Sequence, residues 1–99
     1  MEDIKNIFIK KKILIYGLGK SGLSSYHFLK KNNNLYLYDD TKVIKNKRIK
    51  KIFIKPENIS KNNFDFIVIS PGININQCPL KNFLKKNLKK IITDLDIFY

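Results

Sequence analysis

Short apolar runs alternate with polar, lysine-rich stretches along the whole chain, and their periods define the expected elements. Residues Lys12–Tyr16 read KILIY and stop at Gly17. A continuous apolar run of that length predicts a strand buried on both faces, as in a parallel sheet. From Ser21 the pattern turns helical, with Leu23, Tyr26 and His27 at i, i+3 and i+4 and Lys30 and Lys31 in the last turn, where cations suit the helix dipole. Asn32, Asn33 and Asn34 end that helix. Residues 35–38 (LYLY) form a second strand that stops at Asp39 and Asp40, so strand, helix and strand make a βαβ unit with the usual right-handed crossover.

The later elements follow the same logic. Residues 41–51 are polar and lysine-rich and read as a loop or weak helix, and 52–54 as a short third strand that Pro56 cuts off. Residues 64–69 (FDFIVI) predict another strand, closed by the turn Ser70, Pro71, Gly72. Pro79 opens a helix through Asn87, with Leu80, Phe83, Leu84 and Leu88 on one face. Ile91 and Ile92 give a last short strand, and Thr93 can cap a helix starting at Asp94. The expected class is α/β: a Rossmann-like parallel sheet of about five strands with flanking helices, in one domain spanning residues 1–99. Because a helix has barely begun where Tyr99 falls, the chain reads as a fragment of a longer protein.

Charge changes this picture little. Twenty Lys and Arg against eight acids give a formal +12, which on its own points to nucleic acid or an anionic membrane. Arg48 is the sole arginine, however, and arginine is the side chain that forks onto phosphates and bases. The lysines accompany abundant Ile and Asn, the residues that an AT-rich coding sequence supplies. No nucleic-acid or membrane partner is therefore expected. The lone Cys78 excludes an internal disulfide and a thiolate metal cluster, and the lysines at positions 10–12 break the apolar N-terminus well short of a membrane span or a signal peptide. A cytoplasmic location is the expectation.

The chemistry concentrates at Gly17, Leu18, Gly19, Lys20, Ser21 and Gly22, which read G-x-G-x-x-G between a strand and a helix. In that context the first glycine serves a tight turn, the second admits a diphosphate close to the backbone, and the third lets helix pack on strand. Helix N-terminal N–H groups then face the anion. Gly19, Lys20 and Ser21 are not the end of a P-loop, because the required earlier glycine would fall on Leu14 inside the strand. Asp39 and Asp40 sit where such a unit places an acid on a ribose or base. Strand alternation turns one of them toward the ligand, and Thr41 and Lys42 add a hydroxyl and a cation near the same edge. His27 and Cys78 have no partners in sequence that would make them catalytic, and no metal-ligand spacing occurs. No catalytic residue is expected.

These residues resemble the Mur ligases, in particular the branch that adds D-glutamate in peptidoglycan biosynthesis. The resemblance runs through residues 12–25 (KILIYGLGKSGLSS), 38–42 (YDDTK), 64–73 (FDFIVISPGI) and 92–98 (ITDLDIF), covering most of the chain. It implies an N-terminal domain that binds the UDP part of UDP-N-acetylmuramoyl-L-alanine. Gly17, Gly19, Lys20, Ser21 and Gly22 would meet the diphosphate, Asp40, Thr41 and Lys42 the uridine end, and Gly72 would approach the nucleotide. Lys20 stands where the family is variable, Thr93 replaces its usual glycine and Asp96 its glutamate. The resemblance further implies that ATP, magnesium and D-glutamate bind other domains, so that this chain alone is inactive. A free-standing NAD-binding regulatory or redox module built on the same glycine fingerprint is the alternative.

Overall fold

A computed structural model describes residues 8–40 and 47–98. Four parallel strands make one sheet: β1 (Lys12–Tyr16), β2 (Asn34–Tyr38), β3 (Phe66–Ile69) and β4 (Ile91–Ile92), in the order β2-β1-β3-β4. β1 pairs with β2 from Lys12↔Asn34 to Tyr16↔Tyr38 and with β3 from Ile13↔Phe66 to Tyr16↔Ile69. Helix α1 (Lys20–Leu29) is the β1–β2 crossover; α2 (Lys47–Lys51) and α3 (Pro56–Ile59) lie between β2 and β3. Helix α4 (Lys81–Lys86) and a 3-10 turn (Leu88–Lys90) lead into β4, and α5 (Asp94–Phe98) follows it.

Alternation along β1 explains why a strand this short can anchor the molecule. Ile13 and Ile15 enter one core with Leu18, Leu29, Leu35, Leu37, Val68 and Ile97; Leu14 and Tyr16 enter the other with Ile59, Phe64, Ile67, Ile69, Leu80 and Leu84. Both faces are covered, so neither can carry polar residues, and this is why KILIY shows no period of two. Helices α1 and α5 supply the first face through Leu29 and Ile97. Helices α3 and α4 supply the second through Ile59 and Leu84.

Four strands rather than about five are formed among the described residues. Residues 52–54 reach the outer edge of β2 but make only a single bridge, Phe53↔Leu37, through Leu37 N–H to Ile52 O and Ile54 N–H to Leu37 O, each at 2.9 Å. The segment is squeezed between α2 and α3, and Pro56 at the start of α3 has no N–H to continue a ladder. The buried face of α1 is also rotated from the expected one. Gly22, Ser25 and Leu29 are buried and His27 is exposed, because two small residues let the helix lie closer to the sheet than Tyr26 and His27 would allow. Leu88 is 57% exposed and lies in the 3-10 turn, so α4 buries Leu84 and half-buries Phe83 only. Thr93 does precede α5: Asp96 Oδ2 accepts from the Thr93 N–H at 2.8 Å, the return half of a capping box.

Candidate functional site

All four strands run the same way, so the loops after β1, β2 and β3 gather at one edge. The chain leaves β1 for β2 on one side, then returns past β1 to β3 on the other, which opens a crevice at the point of reversal. Gly17 sits in that crevice with φ +101°, a backbone conformation that strains any other residue. Its N–H donates to Tyr38 O at 2.8 Å, and Ser70 Oγ donates to its carbonyl at 3.3 Å, so the glycine loop is tied to both neighbouring strand ends.

The other two glycines divide the remaining work. A Cβ built on Gly22 would fall onto the Gly17 carbonyl oxygen, so this glycine is what allows α1 to start directly against the loop. A Cβ on Gly19 would meet nothing within 4 Å. Gly19 is the N-cap of α1 and has no side chain to offer; the first turn carries no acid and receives no side-chain cap. The opening N–H groups of a helix have no intrahelical acceptor, and among the described residues no side-chain cap takes that place. Lys20 lies in the same first turn, where a cation is disfavoured by the helix dipole unless an anion is present.

Beside the loop lies a cleft of about 310 Å³ lined by Tyr16, Gly17, Gly19, Asp39, Asp40, Ser70 and Ile73. Both acids reach it, which corrects the expectation that alternation would turn one away. The strand ends at Tyr38, and alternation has no force beyond it. Asp39 Oδ2 accepts from the Leu18 N–H at 2.7 Å and so braces the loop, while the exposed Asp40 accepts from the Tyr16 hydroxyl at 2.5 Å. Of the residues predicted from sequence, Gly17, Gly19 and Asp40 line this cleft and Gly22 packs behind it. Lys20 and Ser21 line a neighbouring cleft. Gly72 is exposed in the turn between Ser70 and Ile73 and is not part of the lining; Thr41 and Lys42 lie outside the described residues. A larger depression of about 640 Å³ lies at the opposite, N-terminal edge of the sheet, among Lys10, Lys11, Lys12 and Asn33, remote from the glycine loop.

Sequence reasoning passed over Tyr16, Ser70 and Ile73. The signal for Tyr16 was a tyrosine inside an otherwise aliphatic buried strand, since a buried phenol needs a partner. Tyr16 is 1% exposed, and burial, then the hydrogen bond to Asp40, hold its phenol far above the ordinary value of 10.0. Tyr38 is raised in the same direction, by burial and then by the Asp40 charge. Both stay protonated donors. The unfolded chain releases these protons at the ordinary value, so above about pH 10 it binds fewer protons than the native state and stability must fall. Tyr16→Phe should make that fall shallower. Urea midpoints at about pH 8 and about pH 10.5 check it, and equal losses in both proteins would refute the assignment.

Among the described residues no group of three or more His, Cys, Asp or Glu could hold a metal ion, and no helix is long and apolar enough to cross a membrane. Taken together, a parallel sheet, a glycine loop at the reversal point and a helix starting directly above it define a Rossmann-like α/β domain. Residues 11–92 match the family model described as Mur ligase MurD-like, N-terminal domain, and the chain belongs to that family. It is 38% identical over 95 residues to UDP-N-acetylmuramoylalanine–D-glutamate ligase of Rickettsia bellii (strain RML369-C), an alignment covering 91% of this chain and 21% of that protein. The proteins of the same name from Rickettsia prowazekii (strain Madrid E) and Rickettsia conorii (strain ATCC VR-613 / Malish 7) are each 34% identical, over 95% of this chain and 22% and 19% of theirs. The chain thus spans about a fifth of the length of these curated relatives. Of the two readings that the glycine fingerprint left open, the family match favours the ligase over the NAD module.

Proposed function

We propose that this chain is the UDP-binding domain of an ATP-dependent ligase that joins D-glutamate to UDP-N-acetylmuramoyl-L-alanine in the cytoplasm. The observation that carries the reading is the N-terminus of α1: uncapped, without an acid in its first turn, open above Gly19, and set at the reversal point of a parallel sheet. A diphosphate there accepts from the first-turn N–H groups and neutralises Lys20. The uridine end then lies in the cleft with Asp39, Asp40, Ser70 and Ile73, with Gly72 nearby, and Thr41 and Lys42, outside the described residues, are kept as further contacts that the family resemblance implies. Family membership and the name of the relatives support this choice of substrate. ATP, magnesium and D-glutamate belong on this reading to other domains, and the domain contributes binding energy remote from the chemistry, uniform between ground and transition state.

The Asp40 carboxylate has one oxygen on Tyr16, which leaves acceptor capacity for an N–H or hydroxyl of the nucleoside. Asp40→Ala should weaken UDP binding about tenfold, about 1.4 kcal/mol, by calorimetric titration. Asp39→Ala removes the brace on Leu18 and should lower both thermal stability and UDP affinity. Tighter binding of NAD than of UDP, or an Asp40→Ala variant with unchanged UDP affinity, would refute the assignment of this cleft.

A further inference from the structure

Away from the crevice at the carboxyl ends of the strands, two joined depressions lie at the opposite, amino edge of the sheet. The larger, of about 640 Å³, is walled by Lys10, Lys11, Lys12, Lys31 and Asp65. The smaller, of about 290 Å³, has Phe8, His27, Phe28 and Leu29 in its lining. Lys31, Asn32 and Asn33 line both, so the two meet just beyond the end of α1. We propose that together they form a second ligand site, which takes a nucleoside triphosphate with its phosphate chain among the lysines and its base in the aromatic slot. This site is separate from the glycine loop and does not depend on what the loop binds.

Charge is the first argument. Lys12 is already committed: its Nζ donates to Asn62 Oδ1 at 2.6 Å and stands over the Tyr36 ring at 5.3 Å. The ammonium groups of Lys10, Lys11 and Lys31 make no hydrogen bond, ion pair or ring contact among the described residues. One carboxylate, Asp65, shares the lining, and its Oδ2 accepts from the Lys12 N–H at 2.8 Å. Like charges gathered round one depression repel one another, and a polyvalent anion removes that repulsion. Lys31 suits the helix dipole at the end of α1, whereas Lys10 and Lys11 lie on the approach to β1, where no dipole favours them.

The backbone is the second. Lys10 has φ +56°, the only positive value at a non-glycine residue among those described, in a chain rich in asparagine, which tolerates that conformation better. Its N–H donates to Asn32 O at 2.6 Å and holds it there. Asn33 completes the clamp. Its Oδ1 accepts from the Lys11 N–H at 3.0 Å, and its Nδ2 donates to Phe8 O at 2.8 Å and Leu29 O at 3.0 Å. The lysine wall and the aromatic slot are thereby fixed to each other before a ligand arrives, which lowers the ordering cost of binding.

Shape is the third. Phe8 is buried and meets Phe66 edge-on at 5.0 Å between centroids, so the slot has a rigid base. Phe28 and His27 are exposed beside it. Aromatic walls with amide and ammonium groups at one end suit a flat base whose substituent runs out into positive charge. A phosphate chain alone leaves the slot empty, and a free nucleoside leaves the lysines unpaired.

The test uses GTP, inorganic tripolyphosphate and guanosine as probes at about 0.15 M ionic strength. Amide chemical-shift mapping on the 99-residue chain separates this site from the loop directly. GTP should move Lys10, His27, Phe28 and Lys31, and tripolyphosphate the lysines alone. By calorimetry on the Gly19→Val chain, GTP should bind at least tenfold tighter than either half-ligand, and at least tenfold tighter than UDP, which has one phosphate fewer and a smaller ring. Lys10→Gln combined with Lys31→Gln should weaken GTP at least tenfold. Lys85→Gln combined with Lys86→Gln removes the same charge from exposed positions outside the lining and should leave GTP affinity within twofold. His27→Ala should weaken GTP at least threefold and leave tripolyphosphate unchanged. Equal losses from the two lysine pairs, GTP no tighter than tripolyphosphate, or GTP shifts confined to the glycine loop would overturn the proposal. The reading of the loop stands or falls separately, on whether UDP binds the parent chain there.

Discussion

Gly22→Ala should destabilise the domain by about 3 kcal/mol, the upper end of what an overpacked site costs. The added methyl would land on the Gly17 carbonyl oxygen, with the Gly17 carbonyl carbon at 3.0 Å and Ile15 Cγ2 at 3.7 Å. The two nearest atoms are backbone, and Gly17 cannot swing aside because it is held to Tyr38 O by its N–H and to Ser70 by its carbonyl. Either α1 lifts off the sheet, exposing Leu29 and Ser25, or the loop loses its φ of +101° at Gly17. For a domain of this size the loss corresponds to a melting temperature lower by roughly 12–24 °C. The sign is what makes the measurement informative. Helix propensity alone favours alanine over glycine by about 1 kcal/mol inside a helix, so a purely local account predicts a gain. Gly72→Ala, where a Cβ meets nothing within 4 Å, is the control and should change stability by less than about 1 kcal/mol. A Gly22→Ala protein that melts at or above the parent temperature would show that helix and strand are not in contact here.

Those two glycines also mark how far the sequence could be read. An apolar pentapeptide, a glycine fingerprint and an acid after the next apolar run define β1, the loop and β2, because each depends on neighbours within a few positions. The role of Gly22 against Gly17 was legible for the same reason. Tyr16 meeting Asp40 was not, since it depends on β1 and β2 pairing in register from Lys12↔Asn34 onward, a long-range fact that no local pattern encodes. The extra strand expected at residues 52–54 failed on packing: β-forming residues are present, but the space between α2 and α3 leaves room for one bridge at Phe53. Asp39 and Asp40 show the limit of periodicity. Alternation is a property of a hydrogen-bonded strand, and Asp39 and Asp40 lie one and two steps past the end of β2, where loop geometry brings them to the same cleft. The helical face of α1 was misjudged because hydrophobic spacing pointed to Tyr26 and His27, whereas close packing on the sheet selects Gly22 and Ser25.

Gly19→Val should separate folding from binding, leaving the domain folded and weakening UDP at least a hundredfold, about 2.8 kcal/mol. The backbone at Gly19, φ −72° and ψ −167°, is extended and open to any residue, and nothing stands within 4 Å of a Cβ there. A valine N-cap forfeits little, because glycine already offers no side-chain acceptor, and a melting temperature lower by only a few degrees is expected, roughly 1 kcal/mol. The branched side chain instead fills the volume above the first-turn N–H groups, which is where a diphosphate must sit to accept from them. Net charge supplies the competing explanation for any UDP affinity, since a chain of formal +12 attracts a nucleotide diphosphate wherever lysines cluster, for instance at the basic depression among Lys10, Lys11 and Lys12. Gly19→Val removes no charge, so attraction of that kind survives the substitution and fades with added salt as screening grows. Binding at the loop behaves the other way, lost with the valine and largely retained in moderate salt. Titrations of parent and variant at low salt and at about 0.15 M ionic strength, where the Debye length is about 8 Å, therefore decide the matter: a variant that keeps UDP affinity within threefold would place the diphosphate somewhere other than the glycine loop.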